Sequence, residues 1–263
     1  MNLLSVKRYA SRRIRGKLKV CRYLEGSGAT RPYVPDTMSF GLANLRRMVA
    51  RHGAVYMKPD VGSLGIGIFK LINRESGDYM LVETSNKSQR VTRLDTLEAV
   101  HRHIAARKTG KLIIQQAILL SKVDGRPYDI RAMVQRKPGG EWTCTGFIVK
   151  VGGAGKIVTN YYQGGTIMTL RKLHKRLGLD KRESAVLEGH LRSVSLSIAK
   201  TLSARQAGMR EMGIDFAIDR GGRLWVLEVN SNHPQFHPLK SLDRKAYDRM
   251  KEYAASYGRF DAH

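Results

Sequence analysis

Acidic side chains are scarce in this chain. Across 263 residues, 22 Asp and Glu stand against 47 Lys and Arg, a formal net charge of +25. A field of that sign concentrates anions and speeds their arrival, so the expected partner is acidic, although charge balance says nothing about fold. Cysteine is nearly absent as well: Cys21 and Cys144 are far apart and form no CxxC or Cys/His cluster, which excludes the usual zinc modules and a disulfide framework. A reduced, cytoplasmic protein is the simplest reading. No apolar run approaches the roughly 20 residues needed to span a bilayer, and no apolar segment follows the basic N-terminus as a secretory signal requires, so export is not expected. Aromatics make up 7% of the chain, with no stacking motif, DNA-reading helix pair or zinc module, which ranks nucleic-acid binding last among the anionic partners. There is no repeat with a period of 20 to 50 residues and no Pro-rich or Ser-rich linker. Residues 1–24 hold no acid; that composition suits a transit peptide or a basic amphipathic helix, and the helix is preferred.

What is present suffices for a folded core, since 42% of residues are hydrophobic and apolar runs such as Leu224-Trp-Val-Leu recur. The apolar spacing from Leu42 to Arg51 predicts a helix stopped by His52-Gly53. Ala54 to Met57 then reads as a buried strand that delivers Lys58 at its end. A glycine-rich stretch, Gly62 to Gly67, leads into a second strand at Ile68 to Ile72. Tyr79 to Glu83 and Arg90 to Leu94 predict a strand pair, and Leu94 to Arg107 a helix with Asp95 as its cap. Leu112 to Ile118 predicts another strand. Asp129 to Gln135 and Trp142 to Val149 should pair antiparallel through the turn at Lys137-Pro-Gly-Gly. Residues 171–208 read as helical, and Gly213 to Asp219 with Leu224 to Asn230 as a second hairpin. Antiparallel hairpins interspersed with helices predict an α+β fold rather than a doubly wound parallel sheet.

Three groups of residues could carry chemistry. Lys58 with Gly62, Ser63, Gly65 and Gly67 could hold a nucleotide phosphate, because glycines let backbone N–H groups approach phosphate oxygens and a lysine adds a compact positive charge. GxxxxGK[ST] is absent, and a flexible turn between strands is the bland alternative. Glu228 and Asn230 alternate onto one face of a strand, and with Asp215 on the partner strand they make a donor set for Mg²⁺. Asp219, near the turn, reads as structural. Asp129 and Arg131 also share a face, with Lys150 on the next strand. Arg131 could clamp an anionic group or simply pair with Asp129 at the surface.

Taken in order, Lys58-Pro with the Gly62 to Gly67 loop, Gln115-Gln-Ala-Ile, Asp129-Ile-Arg, Asn160 with Gly164-Gly165, Gly213-Ile-Asp and Glu228-Val-Asn resemble the ATP-grasp superfamily. Within it, Arg31-Pro-Tyr-Val-Pro-Asp-Thr, Tyr128-Asp-Ile-Arg and the stretch from Val151 to Asn160 are similar to the YheC/YheD group, known as endospore-coat-associated proteins. The resemblance runs from about Lys17 to Pro238. It implies two α+β lobes clasping ATP: an N-terminal region over 1–53, short or truncated relative to related ligases, a small lobe over 54–118 and a large lobe over 119–263. It implies that Lys58, Ser63, Gly65 and Gly67, with Lys17, contact the phosphates and that Gln115, Gln116, Ala117 and Ile118 read adenine. It assigns Asp215, Glu228 and Asn230 to Mg²⁺, Arg131 to the transferred phosphoryl group, with Lys150 beside it, and Asn160 to the substrate side. The implied reaction is ATP-dependent ligation of an acidic small-molecule, peptide or polymer carboxylate to an amine through an acyl phosphate. A non-catalytic ATP-binding module that assembles with spore-coat proteins is the alternative. The Asn230 to Phe236 segment lacks the glycine that often follows its proline in relatives, so the shape of that loop is a point of departure.

Overall fold

Alternating burial along short segments builds a first sheet. In the computed structural model, which describes residues 9–62, 66–85, 88–107, 110–153 and 164–261, β2 (Ala54–Pro59) buries Val55 and Met57 and β3 (Phe69–Asn73) buries Phe69 and Leu71. That period of two sets one face of a strand against a core. With β1 (Thr37–Ser39), β4 (Tyr79–Ser85), β5 (Ser88–Leu94) and β6 (Leu112–Gln116) they pair antiparallel throughout, in the order β1-β6-β2-β3-β4-β5. Leu45, Met48 and Val49 of helix α2 (Leu42–Arg51), with Val100 and Ile104 of α3 (Leu97–Ala105), close the core beneath them. The start of α3 corrects the sequence expectation. Leu94 stays paired with Tyr79 at the end of β5, so Asp95 lies in the link and Thr96 caps the helix, its Oγ1 accepting from the Ala99 N–H at 3.1 Å.

The second sheet is antiparallel too, in the order β10-β9-β8-β11-β12, with the short β7 (Lys122–Val123) on β8. Its strands are β8 (Arg126–Gln135), β9 (Thr143–Val151), β10 (Thr166–Met168), β11 (Glu211–Ile218) and β12 (Leu224–Asn230). Both faces are covered in part, which is why β8, β9 and β11 read as nearly continuous apolar runs. Ile130, Ala132 and Val134 turn to one face and meet Leu191, Val194, Ile198 and Leu202 of α5 (Lys181–Arg205). Met133 and Ile148 turn to the other and meet Ala246, Met250 and Ala254 of α7 (Arg244–Ser256), behind the single turn α6 (Leu239–Leu242). The helical stretch expected over 171–208 is two helices. α4 (Leu170–Arg176) ends at Gly178, whose φ of 71° fits glycine at that position, and Leu179 N–H returns to the His174 carbonyl at 3.1 Å. A capping box of Asp180 and Glu183 then starts α5.

The N-terminal segment serves both sheets. Helix α1 spans Lys17–Glu25, so of the basic helix expected over residues 1–24 the part from Lys17 forms, residues 9–16 are not helical, and residues 1–8 lie outside the described residues. Val20 and Leu24 of α1 enter the core of the second sheet, while β1 and α2 belong to the first. Both cysteines are buried free thiols, each pushed up to about 11 by that burial. Among the described residues no helix is long and apolar enough to cross a membrane.

β11 begins two residues before the expected strand, and the additional Glu211 is fully buried. Arg259 Nη1 donates to its Oε2 at 2.7 Å, Tyr257 OH donates at 3.0 Å, and Tyr9 OH donates to Oε1. Burial raises both phenols well above their ordinary value, which keeps them neutral donors. Arg259 also donates to the Pro234 carbonyl at 3.1 Å, tying the C-terminal segment to the loop that follows β12. Arg259→Leu is expected to lower stability by about 3–5 kcal/mol in urea denaturation, because it leaves Glu211 charged without its counter-ion. A loss under about 1 kcal/mol would show that the two phenols alone satisfy the carboxylate.

Candidate functional site

Cross-strand register gathers charged side chains in one row on the second sheet. Lys150 of β9 pairs with Asp129 of β8, Arg131 of β8 with Asp215 of β11, and Asp215 with Glu228 of β12. Directly opposed residues share a face, and residues two apart on a strand share it as well. A bulge at Leu227 makes this possible on β12. Phe216 pairs with Val226 on the core face, whereas Asp215 pairs with Glu228 on the other, so Val226 and Glu228 face opposite ways although they are two residues apart.

The row is tightly ion-paired. Arg131 donates from Nε and Nη2 to the two Asp215 oxygens, each at 2.8 Å, and Lys150 Nζ lies 2.8 Å from Asp129 and 3.1 Å from Asp215. The surface pair of Asp129 with Arg131 weighed from sequence does not form. Asp129 and Asp215 are buried, and each carboxylate takes its cation from a neighbouring strand. Burial alone would raise the Asp215 value, but Arg131 and Lys150 outweigh it and hold the carboxyl well below the usual range. Gly213 makes room for this pair: a Cβ there would lie 3.0 Å from Pro234 Cβ and 3.4 Å from Arg131 Cδ.

Lys58 ends β2 in the first sheet and is turned toward the row. Its Nζ donates to Gln115 Oε1 at 2.7 Å. Desolvation pulls the ammonium down to about 8, and nearby Lys17 adds to that, while Glu228 and Asp215 oppose it. Gln115 is itself buried, and its Nε2 donates to Thr37 Oγ1 at 3.1 Å. Its side chain therefore fixes Lys58. Gln116 ends β6, and Ala117 and Ile118 lie beyond the strand; the N–H groups of Gln116 and Ala117 donate to the Asp36 and Ala54 carbonyls at 2.9 and 3.1 Å.

Lys17, at the start of α1, links the two sheets. Its Nζ lies 3.2 Å from Glu228 and donates to the Gly62 carbonyl at 2.9 Å. Asp60 anchors that helix start in place of a side-chain cap at Gly16: the Leu18 N–H donates to Asp60 Oδ1 at 2.9 Å and the Lys17 N–H to its carbonyl at 2.9 Å. Nothing in the sequence pattern pointed to Asp60. Gly67 adopts φ 67°, which a side chain would strain. Ser63, Gly65 and Asn160 lie outside the described residues. Asp219 is structural, as expected: its carboxylate accepts from the N–H groups of Gly221 and Arg223 and from Trp225 Nε1 at 2.8–3.0 Å.

The donors fit a hard cation of the Mg²⁺ type. Glu228 is half-buried with one lysine on it, and Asn230 presents its side-chain oxygen two residues on, where it accepts from the Asn232 N–H at 2.9 Å. Among the described residues no three of His, Cys, Asp and Glu form a preformed cage. Mg²⁺ asks for none, since one or two carboxylates plus water and phosphate oxygens satisfy it.

The depressed Asp215 value has a consequence for acid stability. A carboxyl lowered in the folded state stabilises it above the unfolded value of about 3.9, and that contribution is lost as pH falls toward the folded value. Urea midpoints between pH 6 and pH 2.5 should therefore drop below about pH 4 in the wild type and drop less steeply in Asp215→Asn. Equal slopes would mean that Asp215 titrates normally.

The sequence profile described as YheC/D like ATP-grasp matches residues 7–259. Endospore coat-associated protein YheD of Bacillus subtilis (strain 168) is 29% identical over 251 residues, 91% of this chain and 53% of YheD. Endospore coat-associated protein YheC of the same organism is 21% identical over 226 residues, 85% of this chain and 61% of YheC. The chain thus spans about half the length of one relative and three fifths of the other. The ATP-grasp ligase PsnB, solved with a minimal precursor, aligns with a TM-score of 0.53 at 15% identity over 92% of this chain and 60% of PsnB. With Mg, ADP and a phosphomimetic variant of that precursor, the PsnB alignment has a TM-score of 0.52 at 15% identity over 92% of this chain and 58% of PsnB. At such identity the likeness is one of fold. The profile, by contrast, runs from residue 7 to residue 259 and takes in the ion-paired row, Lys17 and Lys58 together, and by that match the chain belongs to the YheC/D-like ATP-grasp family.

Proposed function

We propose that the protein binds Mg²⁺-ATP between its two sheets and joins a carboxylate to an amine with release of ADP and phosphate. The observation that carries this reading is Lys17, whose Nζ lies 3.2 Å from Glu228 of the second sheet and 2.9 Å from the Gly62 carbonyl just beyond β2 of the first, with Lys58 close enough to Glu228 and Asp215 to feel their charge; a phosphate chain there would find cations on one side and metal donors on the other. In this reading residues 54–118 form the smaller lobe and 119–263 the larger, with 1–53 leading into both.

Lys58, Lys17 and the loop bearing Ser63, Gly65 and Gly67 would hold the phosphates. The segment from Gln115 to Ile118 would meet adenine through backbone groups other than the two N–H groups already used. Glu228 and Asn230 would hold Mg²⁺, joined by Asp215, whose carboxylate has lone pairs beyond those given to Arg131 and Lys150. The metal supplies charge neutralisation on the phosphate oxygens. An acceptor carboxylate oxygen attacks the terminal phosphorus and the bond to ADP breaks, giving an acyl phosphate. The amine then attacks the acyl carbon, losing a proton, and phosphate leaves. Arg131 and Lys150 stabilise the charge in flight, and Asp215 keeps them oriented for it. Asn160 would sit on the acceptor side. The acceptor is an acidic small molecule, peptide or polymer. A second reading, a non-catalytic ATP-binding module that assembles with coat proteins, is favoured by the endospore coat association named for both relatives.

Thermal unfolding tests the nucleotide site first. Mg²⁺-ATP at 100 times its Kd should add about 2.7 kcal/mol of stability, and Lys58→Ala and Glu228→Gln should each lose that gain. ADP release that rises with a carboxylate and an amine and disappears in Glu228→Gln supports the ligase. Binding without any such release favours the coat module.

Lys58 also makes nucleotide affinity pH-dependent. Phosphate favours the ammonium, so affinity should be level below about pH 8 and fall by up to about tenfold per pH unit above it. Titrations of a fluorescent ATP analogue from pH 7 to about 9.5 read this, and Lys58→Arg should flatten the profile because guanidinium keeps its charge. A flat wild-type profile would remove Lys58 from the phosphates.

A further inference from the structure

The sheet face that carries the ionic row continues beyond Lys150. Ile167 of β10 is paired with Lys150, so the same sheet face continues outward to the edge strand. There an open groove of about 560 Å³ is lined by Ile167, His237, Pro238, Lys240, Ser241 and Arg244. Its far wall is the α6 turn and the start of α7, which follow the loop that leaves β12 after Asn230. The lining holds two cations and an imidazole but no carboxylate and no Phe, Tyr or Trp. Lys240 and Arg244 are exposed, and Arg244 engages Asp248 through Nε alone, at 2.9 and 2.8 Å, which leaves its terminal nitrogens available for a second anion.

We propose that this groove is the acceptor subsite and takes an acidic peptide, holding neighbouring side-chain carboxylates on Lys240 and Arg244 while one carboxylate reaches Lys150 and Arg131. The proposal rests on the ligase reading for the word acceptor and on the groove itself for binding. A single small acid would need the row alone. Cations lined up beyond the row serve a ligand with further negative charges along its length, and a guanidinium fork suits carboxylates in two-point contact. A nucleic acid fits less well, because single strands are held by successive bases stacked on several aromatic side chains and the groove offers a single imidazole, His237.

The test is anisotropy of a labelled oligoglutamate peptide with the full chain in Mg²⁺-ADP. Reversing both charges with Lys240→Glu and Arg244→Glu should weaken binding about tenfold or more. Lys181→Glu with Arg182→Glu, the same change in charge on α5 across the sheet, should leave it within about twofold. The Mg²⁺-ATP thermal shift should survive in both variants, which shows that each folds with its nucleotide site intact. Should the reversal unfold the chain, Lys240→Gln with Arg244→Gln reads the same loss. Equal weakening by the two reversals would overturn the proposal in favour of a diffuse field. Absence of peptide binding to wild type that still shifts with Mg²⁺-ATP would overturn it too, as would a single-stranded oligonucleotide that displaces the peptide and loses the same affinity in the groove variant. Peptide binding without any Mg²⁺-ATP shift would keep the groove and sink the ligase.

Discussion

A guanidinium buried against a carboxylate fixes the register of everything around it. Arg131 and Asp215 lie on neighbouring strands with both oxygens of one met by two nitrogens of the other. Charges taken out of water destabilise a fold by several kcal/mol each unless they are compensated. A slip of one residue in β8 would turn Arg131 and Asp129 toward Leu191 and Ile198 of α5, where no counter-ion waits, and would turn Ile130 toward the site. Apolar packing on one face and ion pairing on the other therefore demand the same register. That agreement is why a row of charges can sit inside a sheet whose strands are otherwise apolar.

The same principle explains the path of the N-terminal segment. Glu228 continues the row, but the cations of β8 and β9 are already taken by Asp129 and Asp215. Its partner comes from α1 instead, and Asp60 at the end of β2 holds the start of that helix. Lys17 thus stands between the Gly62 carbonyl and the carboxylate best placed for a metal. An ammonium there carries the charge that a bound cation would supply. In the proposed reading a cation at Glu228 would compete with Lys17 for the same carboxylate, which would couple its binding to the position of α1.

Much of this was legible in the sequence, and the failures have physical causes. Lys58 at the end of β2 and the Glu228–Asn230 alternation were readable because short strands obey a period of two and turns punctuate them. The β12 bulge was not readable: Val226 and Glu228 would share a face under simple alternation, and only pairing with β11 shows Leu227 as the extra residue. Pairing choices were equally hidden. Asp129 lies beside Arg131 in sequence, yet its cation is Lys150 from the next strand, since register rather than spacing along the chain decides contact. The resemblance assigned Gln115 to a segment whose backbone meets adenine, and nothing in the local pattern showed that its side chain turns inward to fix Lys58. Glu211 offered a fair signal, a lone acid at the head of an apolar strand, but its partners come from both ends of the chain. Local pattern reports which face a residue takes; it does not report what meets it there.

Scarcity of acid shapes the surface as much as the interior. Many of the carboxylates are committed to ion pairs: Asp36 to Arg51, Asp78 to Arg74 and Arg93, Glu83 to Arg107, Asp124 to Arg176, Asp129 and Asp215 to Lys150, and Glu211 to Arg259. The excess of +25 comes from Lys and Arg that outnumber the acids. Exposed charges farther apart than about 8 Å are screened at physiological salt, so a net charge by itself directs nothing to one place. What gives the excess a direction is local asymmetry, a stretch of wall lined by Lys240 and Arg244 with Asp248 set behind the arginine, next to the ion-paired row. The edge of the second sheet has that asymmetry, because β10 extends the sheet face by one position and the chain beyond Asn230 lines it with lysine and arginine.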